Sequence, residues 1–471
     1  MKNTQLIEIL RSLSKDEFKE FGKYVISPYF NNRSEVIRFF DAVKKFFPDF
    51  DSEELKKVNI FKLVYPGKKY SDVLMRKLIS LTTNMVLDFI AIRGFKENTL
   101  SYNVMLMDKL RERKLPVLFE KRSKITGELL ENTKRDIIYY EHKLKYTSIL
   151  NGHFLSSDER SMISKFQIEL DDLIEFFLTF AMIQYIRISE WSKSINMNYD
   201  MKFYNEVIDY FESGNENKVT LSVLYFNLMM MISTEEEKYF NNLMKYRNLF
   251  ESHLSEIDDY NIVITSMQYC YKKVLKGNFE YRKQMFEISK IIFEKNLIPA
   301  GFLEPYLFTN LIRNASYIKE FEWAEKFINE YKSRLNPDTM VDVTEYSIAM
   351  IEIGKGNFEK SLAHLSKINI EMSNMKIEIK NLLIIIYYEL NYIEELISMI
   401  DAYKHFLKRD KTISENTRDQ NSLFIRLISD LVKVRLKNDK ESIEMFRLEL
   451  DKLDYFILKD WLMNKTIELK K

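Results

Sequence analysis

The sequence predicts an all-α fold, an N-terminal helical domain leading into an array of helical hairpins, and three observations carry that expectation. The first is a scarcity of breakers: 10 Gly and 7 Pro, 17 together in 471 residues, or about 4% against an average usage of about 12%. A sheet protein reverses every ~8–12 residues, and reversals at positive φ draw on Gly and Asn. The second is unbroken helical periodicity. Residues 95–115 and 153–213 contain neither Gly nor Pro, and their apolar positions recur with the helical period rather than alternating. The third is a weak self-similarity from about residue 220 onward, which marks stacked supersecondary units.

The N-terminal domain, 1–95, has well-marked helix starts. Ser14-Lys-Asp-Glu17 is a capping box, in which the serine side chain and the glutamate satisfy each other's free backbone donors. Asp51-x-x-Glu54 repeats the spacing, and Asn32 with Glu35 and Ser71 with Asp72 are looser versions. Loops at 27–32, around Pro28, and at 65–69, around Pro66-Gly67, separate the segments. Helices are expected near 4–13, 15–25, 33–46, 52–64 and 71–92.

A connecting region of longer helices is expected at 96–220. Leu106–Leu118 is interrupted by Pro116, and pieces near 119–150 and 158–192 follow, the second opened by Ser156-x-x-Glu159. The aromatic and basic run Tyr139-Tyr140-Glu-His142-Lys-Leu-Lys-Tyr146 reads as a packing stripe whose lysines reach water. Stacking on single-stranded nucleic acid is the other use of such a pattern.

The third region, 221–471, carries the repeats. The segment Gly277-Asn278-Phe279-Glu280 recurs as Gly356-Asn357-Phe358-Glu359. Taking Tyr239, Phe279, Phe321, Phe358 and Tyr392 as equivalent, the intervals are 40, 42, 37 and 34 residues, one helical hairpin each. One hairpin cannot bury both of its apolar faces, so neighbours must stack. Gly356 is expected at positive φ or at a close approach of two helices, with Phe358, Leu362 and Leu365 buried between hairpins.

The stretch Ser347-Ile-Ala349 through Gly354-Lys-Gly356-Asn-Phe358-Glu-Lys-Ser361-Leu-Ala363 resembles a tetratricopeptide repeat, and Phe321-Glu-Trp323-Ala324 matches more loosely. That resemblance implies a tetratricopeptide-like α-solenoid over about 220–450. The pattern Leu13-Ser-Lys-Asp-Glu-Phe18, then Ser27-Pro-Tyr-Phe-Asn31, Phe47-Pro-Asp-Phe50 and Tyr65-Pro-Gly67 resembles a family of uncharacterised bacterial helical proteins. It implies a bacterial source and no particular chemistry.

Residue content argues against most catalytic chemistries. The five histidines are His142, His153, His253, His364 and His405, with no two at i, i+3 or i, i+4, and Cys270 is the single cysteine. No zinc spacing, phosphate loop, dinucleotide fingerprint or nucleophile elbow is present. A non-enzymatic chain with no metal and no cofactor is therefore expected. The most apolar window is read as Leu173–Ile186, interrupted by Glu175 and Gln184 and short of the ~20 apolar residues a bilayer needs. With no apolar segment after Met1, membrane insertion is not expected and the cytoplasm is the expected location.

Net charge is +1 but uneven. Residues 1–150 hold 29 basic and 20 acidic residues, net +9, leaving 42 and 50, net −8, in the remainder. The leading expectation is a protein–protein interaction scaffold or adaptor that holds another protein or peptide on a helical-repeat surface. The alternative is a DNA-binding regulator. Ile60 to Leu81 is similar to the winged-helix portion of bacterial regulators that couple a DNA-reading domain to helical repeats. That resemblance would place Arg76, Lys77, Ser80 and Thr83 at bases and Lys68 and Lys69 on phosphates.

Overall fold

Every regular element is helical among the residues described by the computed structural model, which are all except 154–158, 196–198, 215–218, 299–300, 370–372, 438, 454–455, 457 and 471. Those elements are 23 α-helices and two short 3-10 helices, so the all-α expectation is met. The chain divides into two compact units: Met1–Thr133 with Ile137–Phe176, and Lys134–Asp136 with Phe177–Lys471.

The first unit contains α1 (Gln5–Ser12), α2 (Lys15–Ile26), α3 (Ser34–Lys44), α4 (Lys57–Val64), α5 (Asp72–Glu97), α6 (Thr99–Glu112), α7 (Pro116–Glu131), α8 (Ile137–His153) and α9 (Glu159–Ile195) as far as Phe176. The capping box forms as read: Ser14 N–H donates to Glu17 Oε2 at 2.7 Å, and Glu17 N–H donates to Ser14 Oγ at 3.2 Å. Ser71 caps α5 by accepting from Leu74 N–H. The pair Asp51 and Glu54 caps nothing. Asp51 is held by Lys2 at 2.9 Å, Glu54 by Lys45 at 3.3 Å, and α4 begins only at Lys57. Asn32 is not a cap either; Arg33 holds that position, while Asn31 ties the loop down by donating to Val25 O and accepting from Arg33 N–H. Ser156 lies outside the described residues.

Helices α1 to α5 close around Phe21, Phe39, Phe50 and Phe61, each fully buried. Helix α5 is long and apolar enough, by length and composition, to cross a bilayer; Met75, Leu78, Thr82, Val86 and Phe89 face this core, while Val73, Leu74, Leu87 and Ile90 are exposed. In α8 the packing reading of the aromatic run holds. Tyr139 and Tyr140 are buried, Tyr146 donates to Ser123 O, and His142 lies within hydrogen-bonding distance of Ser101 Oγ.

The second unit continues with α10 (Tyr204–Glu212), α11 (Leu221–Thr234), α12 (Glu237–Phe250), α13 (Glu256–Leu275), α14 (Tyr281–Glu294), α15 (Pro305–Tyr317), α16 (Phe321–Tyr331), α17 (Pro337–Gly354) and α18 (Phe358–Leu365). It ends with α19 (Ser373–Glu389), α20 (Ile393–Arg409), α21 (Glu415–Lys437), α22 (Lys440–Lys452) and α23 (Lys459–Leu469). The most completely buried apolar helix is α11 rather than the Leu173–Ile186 window. Each residue from Leu221 to Met231 is buried, as expected of a helix apolar on all sides.

Four helix pairs of this unit are joined by one recurrent turn, which also joins α6 to α7 at Lys114 and ends α14 at Asn296. Gly277, Lys319, Gly356 and Asn391 hold φ of +90°, +65°, +80° and +60°. In each turn the next residue's N–H reaches the carbonyl five residues back: Asn278 to Lys273, Glu320 to Ala315, Asn357 to Glu352 and Tyr392 to Tyr387, at 2.8 to 3.0 Å. This is the hydrogen-bond pattern of a Schellman helix end, which satisfies otherwise orphaned carbonyls while reversing the chain. Only two of the four carry glycine. By this geometry Phe279, Phe321 and Phe358 sit two residues after the turn residue, whereas Tyr392 sits one after it, so the sequence alignment slips by one at the fourth hairpin. Between α11 and α12 the closure differs: Glu235 holds φ +57°, and Thr234 Oγ1 accepts from Glu236 N–H.

Two glycines of the third hairpin have separate tasks. Gly356 is the left-handed residue. Gly354 is a close approach: a Cβ there would stand 2.7 Å from Phe321 Cε1 of the preceding hairpin. Ala349 and Ser361 let α17 and α18 meet closely, with Ser361 Oγ donating to Ala349 O at 2.8 Å. Leu365 is buried as expected, but Phe358 and Leu362 are only half-buried, packed on the rim of the same cluster.

Buried charge anchors the start of this unit. Arg247 grips Asp259 with two hydrogen bonds of 2.6 and 2.9 Å, and Lys295 adds a third at 3.3 Å. The adjacent Asp258 accepts from Tyr225 and from Ser255 at 2.5 and 2.6 Å. Burial nevertheless pushes its pKa up, and those hydrogen bonds only oppose the shift.

Two predictions follow from these features. Since a non-glycine left-handed residue costs about 1–2 kcal/mol, Lys319→Gly raises stability and Gly356→Ala lowers it, each by about 1 kcal/mol in urea unfolding. Because Asp258 binds its proton more tightly in the folded state, stability is fully present below the ordinary aspartate range. It falls as pH rises through the raised folded value. Asp258→Asn should remove that slope above the ordinary aspartate range, and an unchanged slope would sink the assignment.

Candidate functional site

The helices before each turn share a face. On α13, Tyr260, Ile264, Met267, Tyr271 and Leu275 recur every three or four residues, and so lie on one stripe. On α15 the corresponding stripe is Leu307, Asn310, Arg313, Asn314 and Tyr317; on α17 it is Tyr346 and Met350; on α19 it is Glu378, Asn381 and Leu382. Together with Arg282 and Met285 of α14 and Leu458, these stripes enclose a cavity of about 400 Å³, within the range of small-ligand pockets.

A polar cluster forms one wall. Arg313 donates to Tyr346 Oη at 2.9 Å and to Asn310 Oδ1 at 3.0 Å, and it pairs with Glu378 at 2.6 Å. Burial alone would lower the pKa of this guanidinium, but Tyr346 and Glu378 hold it well above its ordinary value. Burial likewise raises the phenols of Tyr346 and Tyr271, so both remain protonated donors. Arg282 lies 4.1 Å from the Tyr317 ring centroid and reaches Asp460 at 3.3 Å. Asn314 and Asn381 are buried and each spends its amide nitrogen, on Arg282 O at 2.9 Å and on Asn421 Oδ1 at 3.0 Å. Their carbonyl oxygens are closed to solvent and have no hydrogen-bond partner among the described residues.

The sequence reading singled out none of these residues. A signal was present: Asn310, Arg313 and Asn314 break an otherwise apolar face of α15 at helical spacing. Without the neighbouring helices, nothing distinguishes such a break from a solvated edge. Cys270 lies close by in sequence, but burial pushes its thiol up to about 12, which makes it a packing residue rather than a nucleophile.

The nucleic-acid candidates lie in the first unit. Lys68, Lys69, Arg76, Lys77 and Ser80 are exposed. Lys68 stands 5.3 Å from the Tyr65 ring centroid, and Arg76 pairs with Asp72 at 2.6 Å. Thr83 is half-buried and donates to Ile79 O. Helix α5 brings Arg76, Ser80 and Thr83 onto one stripe, but Val73, 78% exposed, and Leu87, 49% exposed, share that stripe. A base-reading surface would have to desolvate them.

No protein-family model matches the chain, and comparison with curated proteins and with solved structures finds no match either.

The wall cluster predicts an order of effects. Glu378→Gln removes the carboxylate paired with Arg313 and should cost about 1–3 kcal/mol, whereas Tyr346→Phe, which leaves that pair intact, should cost about 1 kcal/mol. Urea unfolding of the two variants decides it, and the reverse order would show Tyr346 to be the principal partner.

Proposed function

We propose that this chain is a non-enzymatic interaction scaffold whose region 221–471 forms a tetratricopeptide-like solenoid holding another protein or peptide. On this reading, 1–95 is a separate helical domain and 96–220 connects the two. The observation that carries the proposal is the recurrent turn. Four closures of the same geometry place α13, α15, α17 and α19 as successive first helices of hairpins, and the cavity is lined by all four. A repeated hairpin with a shared concave stripe suits recognition of an extended or helical segment.

A second reading, a DNA-binding regulator, rests on the exposed Lys68, Lys69, Arg76, Lys77 and Ser80 and on the net +9 of residues 1–150. Salt separates the two, since binding through several phosphates weakens steeply between ~50 and ~200 mM.

The immobilised full chain should capture a defined partner from its native cell. That complex should be lost in a Met267→Lys, Leu307→Lys variant that still melts cooperatively, and kept in an Arg76→Ala, Lys77→Ala variant. In parallel, gel shifts against mixed duplexes should show only weak, salt-labile retardation. Sequence-dependent binding that survives ~150 mM salt and vanishes in the Arg76→Ala, Lys77→Ala variant would replace the scaffold reading with the regulator.

A further inference from the structure

Helices α20 and α21 run antiparallel, since Arg418 meets Leu407 and Asn421 meets Tyr403, and between them lies an open cleft of about 300 Å³. Lys404 and Lys408 line it from α20, and Arg418, Arg426 and Lys433 line it from α21, at spacings of one or two helical turns. Among the described lining residues, these five cations face a single carboxylate, Asp430. The surroundings have the opposite sign, because residues 151–471 hold 42 basic and 50 acidic residues.

Several of these cations are open or lightly held. Lys404 pairs with Asp401 at 3.2 Å and Lys433 with Asp430 at 2.9 Å, surface pairs within one helix that yield to a competing anion. Lys408 is exposed and has no ion-pair partner among the described residues. Arg426, by contrast, is engaged by Glu449 at 2.6 Å. Arg418 is fixed in place: Nε donates to Leu407 O at 3.0 Å, and Nη2 donates to Asp410 O and Ile413 O at 3.1 and 3.3 Å. Those bonds close the end of α20 and leave Nη1 for a ligand. One turn along α21, Ser422 adds an exposed hydroxyl to the same lining.

A guanidinium N–H, a hydroxyl and an ammonium in one cleft suit a tetrahedral dianion, which brings three acceptor oxygens and more charge than a carboxylate. We propose that the α20–α21 cleft binds a phosphomonoester, with Lys408, Arg418 and Ser422 donating to its oxygens. A long nucleic acid fits less well. No aromatic side chain is among the described lining residues to stack on a base, and the acidic excess around the cleft repels an extended polyanion. Two sources share the chemistry: a phosphorylated side chain of a partner protein and a small phosphorylated metabolite. The cleft shares no described lining residue with the cavity beside Arg313, so this site goes beyond the scaffold reading and does not depend on it.

Titration calorimetry of the full chain tests the site with glycerol 3-phosphate, N-acetyl-phosphoserine amide, succinate and a single-stranded oligonucleotide. The buffer holds ~0.1 M salt, which screens distant exposed charges, at a pH above the second phosphate pKa of about 6. Both phosphomonoesters should bind about tenfold more tightly than succinate, a dicarboxylate of similar charge. Lys408→Ala and Ser422→Ala, both at exposed positions, should each weaken phosphomonoester binding. Asp430→Asn removes the lining carboxylate and should tighten it, a gain that misfolding cannot imitate. A phosphoserine amide that outbinds glycerol 3-phosphate assigns the cleft to a phosphorylated partner; parity or the reverse order assigns it to a small phosphorylated molecule, and each supports the proposal. It is overturned if succinate binds as tightly as the phosphomonoesters, if the oligonucleotide outbinds both, or if neither phosphomonoester binds at millimolar concentration. Binding that all three variants leave at the wild-type level overturns it too.

Discussion

A helix that reverses through a connection of three to five residues places one of them at positive φ, and four hairpins of the second unit do so, at Gly277, Lys319, Gly356 and Asn391. Each turn hands the next N–H to a carbonyl at the end of the preceding helix, so the chain reverses without stranding a buried polar group. The angle at which each second helix returns is thereby fixed. So is the stripe that each first helix leaves uncovered by its own partner. Where side chains would crowd the returning helix, small residues stand instead: Ala349 against Ser361 within the third hairpin, and Gly354 beneath Phe321 between hairpins.

Once those stripes are in place, their polar residues are forced together. Asn310, Arg313, Tyr346 and Glu378 come from three helices spread over 69 residues, yet they form a single hydrogen-bonded wall beside an apolar hollow. Arg313 and Glu378 neutralise each other in this wall, and the carbonyl oxygens of Asn314 and Asn381 are buried with no partner among the described residues. The buried Arg247–Asp259 pair, near the start of the unit, is matched in the same way. It is a structural anchor, of the kind whose loss leaves an uncompensated charge.

The first unit follows a different plan. It is organised around stacked and edge-on phenylalanines rather than repeated turns, with Phe18 over Phe47 and Phe21 edge-on to Phe40. Its basic residues remain on the outside of α5 and the turn before it, interleaved with exposed apolar side chains. That mixture is a surface of modest charge rather than a continuous phosphate track.

Helicity was determined by the sequence alone, because breaker content and 3.6-residue periodicity are local properties that each segment carries within itself. The same holds for the Ser14–Glu17 capping box, the positive φ of Gly356 and the packing role of Tyr139 and Tyr140. Other features were decided only by tertiary structure. Asp51 and Glu54 have capping spacing, but lysines distant in sequence claim their carboxylates. Lys319 takes the same left-handed turn as the two glycines although lysine does not announce it, because packing of the hairpin outweighs the local cost, whereas Asn391 is a residue type that tolerates it. Leu362 has the spacing of a core residue yet lies half-buried at the rim of its cluster, because the helices packed against α18, not its own spacing, set its cover. The cavity was wholly illegible in the sequence. Its residues come from five helices, the cap residue Glu304 and one C-terminal position, and one-dimensional spacing cannot tell a polar residue facing solvent from one facing another helix's polar residue across a hollow.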